Sequence, residues 1–207
     1  MKIDLHVHTN YSKDSMIRPG KLPEVARKKG LDGFAVTDHG TTEGLEEVKK
    51  ASDGMIIVPG IEVSTEKGEI LGLFVDEEIG GKRPQEVVDK IKSAGGLAVV
   101  PHPFRTFGGL DGIEKLKRLD GVEVFNSRNL LGMKNRRARK FAEENGFIKT
   151  AGSDAHTTWE VGNAYVEAEA ENLEEFKEKL EEGKTAIKGS LSNPLYHMIS
   201  TINKFRR

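Results

Sequence analysis

Asp4-Leu5-His6-Val7-His8 ends the first apolar run of the chain, Lys2–Val7. Strict alternation puts Asp4, His6 and His8 on one face of a strand and Leu5 and Val7 on the other. Two imidazoles at that spacing can share one metal ion, although for an isolated pair solvent-facing histidines are the commoner outcome. Further strand-like runs follow at Gly33–Thr37, Met55–Ser64, Glu69–Val75, Leu97–Pro101, Val122–Asn126, Ile148–Ala151 and Lys184–Lys188. Between them lie charged segments of helical period at Lys21–Lys29, Glu43–Ala51, Pro84–Ala94, Gly112–Arg118, Met133–Asn145 and Leu173–Glu182, and Pro194–Lys204 reads as a last helix. Gly30, Gly95, Gly146 and Gly183 fall just past helix ends, where a left-handed residue closes the final turn. Strand, helix, strand in repetition calls for a parallel sheet with helices outside it. An open doubly wound sheet and a closed α/β barrel both satisfy the pattern.

Composition narrows the chemistry. The 207 residues contain no cysteine, which excludes disulfides, zinc fingers and iron–sulfur clusters, so any metal must be held by nitrogen and oxygen. With glycine counted and tyrosine set aside, the apolar share is about 46%, close to the roughly 45–50% of ordinary globular proteins, so a packed core is expected. The length suits one compact domain, residues 1–207, with the last helical segment, about 190–207, packing on it. A net charge of -1 offers no electrostatic reason for nucleic acid or an anionic membrane as the main partner, and the basic tail Lys204–Arg207 reads as a solvated end. No apolar run approaches the ~18 residues of a membrane span and Met1–His6 has no signal-like apolar region, so a cytoplasmic protein is expected. No strand is followed by the glycine spacing of a phosphate loop, which argues against nucleotide-cofactor chemistry. The 31% of charged residues, against a typical ~25%, together with a single glutamine, Gln85, resembles a heat-adapted composition.

Five of the six histidines fall at or just past strand ends. His39 follows Ala35-Val36-Thr37-Asp38, His102 is framed by Pro101 and Pro103, and His156 closes Gly152-Ser153-Asp154-Ala155-His156. Each alone fits a core or capping histidine, but five at one edge of a sheet point to a common site. Carboxylates fall there too: Asp14 in the loop after His8, Glu62 between Ile61 and Val63, and Asp154 two residues before His156. A carboxylate between apolar neighbours at a strand end is where a bridging ligand would stand, and the expected product is a cluster of divalent ions with mixed imidazole and carboxylate ligands. His197 belongs to none of these groups and is read as structural or exposed.

With Tyr11-Ser12-Lys13-Asp14, Thr37-Asp38-His39, Gly60-Ile61-Glu62-Val63 and Pro101-His102-Pro103 added to the two histidine motifs above, the chain resembles the PHP (polymerase and histidinol phosphatase) phosphoesterases from Asp4 to about Gly162. The resemblance implies a distorted seven-stranded, TIM-like (β/α) barrel with two or three divalent ions, zinc, manganese or iron, at the C-terminal strand ends. Carried over by position, it implies His6, His8, Glu62 and Asp154 on one ion, with Glu62 bridging to a second that takes His102. Asp14, His39 and His156 would hold the third, and Asp4 and Asp38 would orient ligand imidazoles. Where many members place a histidine before Ile-Leu-Gly, this chain has Glu69. Glu69 either becomes an oxygen ligand of the second ion or points away; as a ligand it removes one unit of positive charge and shifts preference toward Mn²⁺ or Fe²⁺ over Zn²⁺.

The implied activity is hydrolysis of a phosphate ester, of a small phosphorylated metabolite, a nucleotide or a nucleic-acid end, by a metal-bridging hydroxide. Glu62, His102, Asp154 and Arg105 are the candidate catalytic residues. Arg105, three residues after His102, is the first choice for a phosphate-binding cation, with Arg18 and Arg128 behind it. Asn126 and Ser127 are expected to line the site. The 52 positions from His102 to Asp154 leave no room for a lid domain between them, so an open, shallow site is expected. Two alternatives remain open: an amidohydrolase-like metal-dependent hydrolase, and an inactive metal-stabilised binding domain.

Overall fold

In a computed structural model, residues 1–106, 108–110 and 112–206 are described, with 203–206 as backbone only. Nine strands are present among these residues: β1 (Lys2–Val7), β2 (Gly33–Val36), β3 (Ile56–Thr65), β4 (Gly68–Leu73), β5 (Leu97–Val100), β6 (Gly121–Asn126), β7 (Ile148–Gly152), β8 (Ala164–Glu167) and β9 (Ala186–Gly189). Six α-helices alternate with them: α1 (Leu22–Lys28), α2 (Glu43–Ala51), α3 (Pro84–Ser93), α4 (Gly132–Asn145), α5 (Leu173–Glu181) and α6 (Pro194–Arg206). The strands form one sheet in the order β7-β6-β5-β4-β3-β2-β1-β8-β9.

The expectation of a purely parallel, seven-stranded barrel is corrected here. β4 pairs antiparallel with both β3 and β5, and β8 pairs antiparallel with both β1 and β9, so two strands run against the rest. β4 follows β3 after a two-residue turn at Glu66-Lys67, too short for the crossover that a parallel neighbour requires. β8 escaped the sequence reading because Ala164-Tyr165-Val166-Glu167 offers only two apolar-polar alternations, and its pairing partners are remote in sequence. The helix expected at Gly112–Arg118 is a single 3₁₀ turn, Ile113–Lys115, because Gly112 is left-handed at φ 73° and Leu116 is already extended. The basic-tail expectation rests on side chains outside the described residues.

The sheet curls until the end of β7 meets β1. Asp154 N donates to His6 O at 2.7 Å, His8 N donates to Ala155 O at 3.0 Å, and Ser153 N donates to Asp4 Oδ1 at 2.8 Å. This contact is tight enough that a Cβ built on Gly152 would lie 2.2 Å from His6 Cβ. Inside the curl, Ile3, Leu5, Ala35, Val58, Leu71, Leu73, Val99 and Ala151 pack together, with Phe176 and Leu180 of α5 in the same cluster. Outside it, α3 contributes Val87, Val88 and Ile91 against Ile61 and Ile70, while α4 lays Ala138 and Ala142 on Val122 and Val124. Buried apolar area of this kind contributes about 25 cal/mol per Å². With the rim of the curl held rigid, the residues at the C-terminal ends of β1, β2, β5 and β7 face a common point.

Candidate metal centre

Three of the imidazoles, those of His6, His8 and His156, are oriented by a partner on Nδ1. His6 Nδ1 lies 3.0 Å from Glu123 Oε1, a buried carboxylate on β6. His8 Nδ1 lies 3.2 Å from Ser12 Oγ, whose own O–H is committed to Asp38 Oδ1 at 2.6 Å, so the serine oxygen accepts from the imidazole. His156 Nδ1 donates to the Asp154 carbonyl at 2.8 Å. In all three rings Nδ1 is committed to these partners and Nε2 turns inward, an orientation assigned from the partners. His6 Nε2 and His8 Nε2 are 3.1 Å apart. Two ring nitrogens at that distance share one cation, either a proton or a metal ion.

Carboxylates complete the donor set. Glu62 Oε1 lies 3.4 Å from His6 Nε2 and 3.3 Å from His102 Nε2, while its Oε2 lies 3.3 Å from His8 Nε2 and 3.0 Å from His39 Nδ1. Asp154 Oδ1 is within 3.4–3.7 Å of His6, His8 and His156, and Asp14 Oδ1 lies 3.7 Å from His39 and 3.4 Å from His156. Donor atoms fall within 4.8 Å of one another in four groups: His8, His39 and His156; His6, His102 and Asp154; His6, His8 and Glu62; and His39, Glu62 and Glu69. All nine residues singled out as ligands are thus brought together. Glu69, whose direction the sequence left open, points inward, 3.6 Å from His102 Nε2. The donor chemistry, imidazole nitrogen and carboxylate oxygen converging without thiolate, suits divalent zinc, manganese or iron.

The electrostatics are those of buried carboxylates and imidazoles that set one another's charge. Burial opposes ionisation of Glu62, but His6 and His39 beside it hold its carboxyl well below the usual range. Burial likewise opposes charge on Asp154, and Arg105 and His6 overcome it. Burial, then the like charges of Glu62 and Asp154, push Glu69 up to about 8. Burial also disfavours charge on His6, yet Glu123, Glu62 and Asp154 raise its imidazole well above the ordinary histidine value. His8, buried and flanked by His156 and His39, falls to about 3.

Several supporting roles differ from expectation. Asp4 does not reach an imidazole: it accepts from the backbone N–H groups of Ser153 and Gly162, at 2.8 and 2.9 Å, and so clamps the β1–β7 closure. Asp38 acts on His8 only through Ser12, and also takes the Thr9 N–H at 2.7 Å. Glu123, rather than Asp4 or Asp38, is the supporting carboxylate that touches a ligand imidazole directly; it also accepts from His102 N at 2.8 Å and Asn126 Nδ2 at 2.9 Å. The sequence signal for it was present, a glutamate between Val122 and Val124, the same pattern that marked Glu62. Ser127 and Asn126 are buried behind the cavity wall rather than part of its lining, with Ser127 Oγ on Ser153 O and Asn126 on Asp154 and Arg105.

Among the cations, Arg105 Nη2 donates to Asp154 Oδ2 at 2.6 Å and to Asn126 Oδ1 at 2.8 Å. Arg128 lines the cavity but is engaged by Ser200 and the buried Glu160, while Arg18 is exposed and outside the lining. The cavity, about 1030 Å³, also takes Tyr11, Asn129, Leu130 and, from α6, His197, Ser200 and Thr201. His197, read from sequence as structural or exposed, therefore faces the site.

A family model described as PHP-associated matches residues 132–185, which run from α4 into the segment before β9. The uncharacterized protein MJ1587 of Methanocaldococcus jannaschii is 43% identical over 152 residues, covering 65% of this chain and 87% of that protein. The chain belongs to the PHP family. A two-domain protein from Bacteroides vulgatus, containing a predicted PHP-like metal-dependent phosphoesterase, shares the fold at a TM-score of 0.78 with 16% identity, over 98% of this chain and 69% of that one. A phosphoribosyl 1,2-cyclic phosphate 1,2-diphosphodiesterase of Eggerthella lenta is 40% identical over 82 residues, 36% of this chain and 31% of that enzyme. The curled mixed sheet is thus shared with the Bacteroides vulgatus structure.

Proposed function

We propose that the chain is a metal-dependent phosphoesterase that hydrolyses the phosphate ester of a small phosphorylated metabolite or nucleotide. The observation that carries this reading is Glu62. Its two oxygens address different histidine pairs, His6 and His102 on one side and His8 and His39 on the other, and its Oε1 is buried without a hydrogen-bond partner among the described residues. A carboxylate placed in that way is built to bridge two cations. Bound divalent ions would acidify a water from 15.7 toward ~7 and offset charge on the phosphoryl oxygens.

The chain's own residues supply the rest. His6, His8, Glu62 and Asp154 form one ligand set, His102 and Glu69 extend it from Glu62, and Asp14, His39 and His156 form the third. Glu123 and Ser12 hold the ligand imidazoles, so that Nε2 faces inward without reorganisation. Arg105, anchored on Asp154, places a permanent positive charge at the rim to receive phosphoryl oxygens. Burial of His6, His8, Glu62, His102 and Asp154 to 2% exposure or less keeps bulk water from competing for these groups. The Eggerthella relative acts, by its name, on a phosphodiester, which supports the reaction class.

The test is elemental analysis of the purified protein, followed by assay of the Mn²⁺- and Zn²⁺-loaded forms against phosphomonoesters, diesters and single-stranded DNA. Bound metal with release of phosphate is expected. Full metal occupancy with no ester hydrolysed would sink the reading.

A further inference from the structure

Asn129 and His197 line the same cavity as the ligand cluster and carry buried polar atoms that the ligands do not use. Asn129 Nδ2 donates to Asn135 Oδ1 at 2.6 Å, and the same oxygen accepts the Asn126 backbone N–H at 3.2 Å. That N–H identifies the Asn135 oxygen, so the orientation of the Asn129 amide is settled and its Oδ1 is the atom left without a hydrogen-bond partner among the described residues. His197 Nε2 is buried and without a hydrogen-bond partner in the same sense. Such atoms are rare in folded proteins and mark a missing ligand or water.

The helix that delivers His197 is fastened to the metal centre. Ser200 Oγ donates to His197 O at 3.0 Å and takes Arg128 Nη2 at 2.6 Å, and Arg128 Nε lies 3.4 Å from Glu160, whose Oε2 accepts from the backbone N of His156 at 3.1 Å. Burial and the neighbouring Arg128 push the His197 imidazole down to about 4, which leaves it neutral near pH 7. A neutral imidazole offers one N–H and one lone pair. Asn129 Oδ1 requires a donor, which a phosphate dianion lacks, and the adjoining guanidiniums of Arg128 and Arg105 disfavour a cationic donor. A hydroxyl group, donor and acceptor at once, is able to serve either atom.

We propose that Asn129 and His197 form a hydroxyl-binding wall, making His197 a substrate-positioning residue and the substrate a phosphate ester of a polyhydroxy compound, either a free sugar phosphate or the ribose of a nucleotide. This rests on the phosphoesterase reading of the adjacent ligand cluster.

The test is calorimetric titration of the metal-loaded protein with phosphonates, whose carbon–phosphorus bond survives the site. Methylphosphonate reports the phosphate subsite alone, and the methylene phosphonate analogue of ribose 5-phosphate adds the hydroxyls. The ribose analogue is expected to bind about tenfold or more tighter than methylphosphonate, as two neutral hydrogen bonds would give. His197→Ala should remove about three- to tenfold of that difference while leaving methylphosphonate affinity and metal content unchanged, and His197→Gln, whose amide reaches the Nε2 position, should restore most of it. Equal binding of the two probes by the wild type, or an equal loss of both in His197→Ala, would overturn the proposal. The corresponding nucleotide analogue distinguishes the two sources. If it binds tighter than methylphosphonate and its 2′,3′-dideoxy form binds equally well, the wall reads a base and the proposal fails. Failure of the metal-loaded protein to bind methylphosphonate at all removes the phosphoesterase reading, and this inference with it.

Discussion

Glu123 makes the clearest case for a decisive residue outside the ligand set. Its Oε1 faces His6 Nδ1 at 3.0 Å while its Oε2 holds His102 N at 2.8 Å, so one carboxylate aligns two ligand-bearing strand ends. In Glu123→Gln an amide N–H would face the imidazole N–H, or the His102 N–H would lose its acceptor. Metal affinity should fall about 10–100-fold with the fold retained, measured by competition against a chelator and by circular dichroism. An unchanged affinity would show that His6 needs no such partner. Arg105→Ala tests the other side of the site. With metal occupancy held constant, ester hydrolysis should fall about a hundredfold or more, the scale seen when a donor to transition-state charge is removed. Full activity in that variant would assign the phosphate cation elsewhere. At this scale the ligand histidines were legible because each stands at or just past a strand end. His197 was not, because nothing in Pro194–Lys204 shows that the helix lies over the cavity.

Among elements, the junction of β7 with β1 matters most, since it brings Asp154 and His156 to His6 and His8. Gly152 permits it: an added Cβ would lie 2.2 Å from His6 Cβ and 2.7 Å from its backbone N, neither of which can swing aside. Gly152→Ala should therefore open the closure and abolish metal binding, with a loss of stability of several kcal/mol on the scale of overpacking and strain, measured by denaturant unfolding and elemental analysis. Normal metal content and stability would show that the junction is not rigid. Eight of the nine strands and all six α-helices begin within a few residues of their sequence-based positions because hydrophobic period and helix-ending glycines are local signals. The 3₁₀ turn at Ile113–Lys115 and β8 were misread because backbone conformation at Gly112, and pairing with β1 and β9, outweigh local pattern there.

For the whole molecule, the inward ring nitrogens and carboxylates of the cluster tie folding to metal. Ions that bind the native state alone add about 2.7 kcal/mol at a hundredfold excess over Kd. Chelator treatment should therefore lower Tm by roughly 5–10 °C for a chain of this size, and manganese or zinc should restore it. A Tm indifferent to chelator would mean that the cluster is stable without ions.

Cysteine's absence and the edge-placed histidines already define an imidazole–carboxylate chemistry, since residue type and strand-end position are properties of the chain alone. Direction of pairing, the partners of His6 and His8 and the placement of α6 beside the cavity depend on contacts between residues far apart in sequence, such as Glu123 with His6 or α6 with Arg128. Local periodicity carries no information about such contacts, and packing of the closed sheet supplies it.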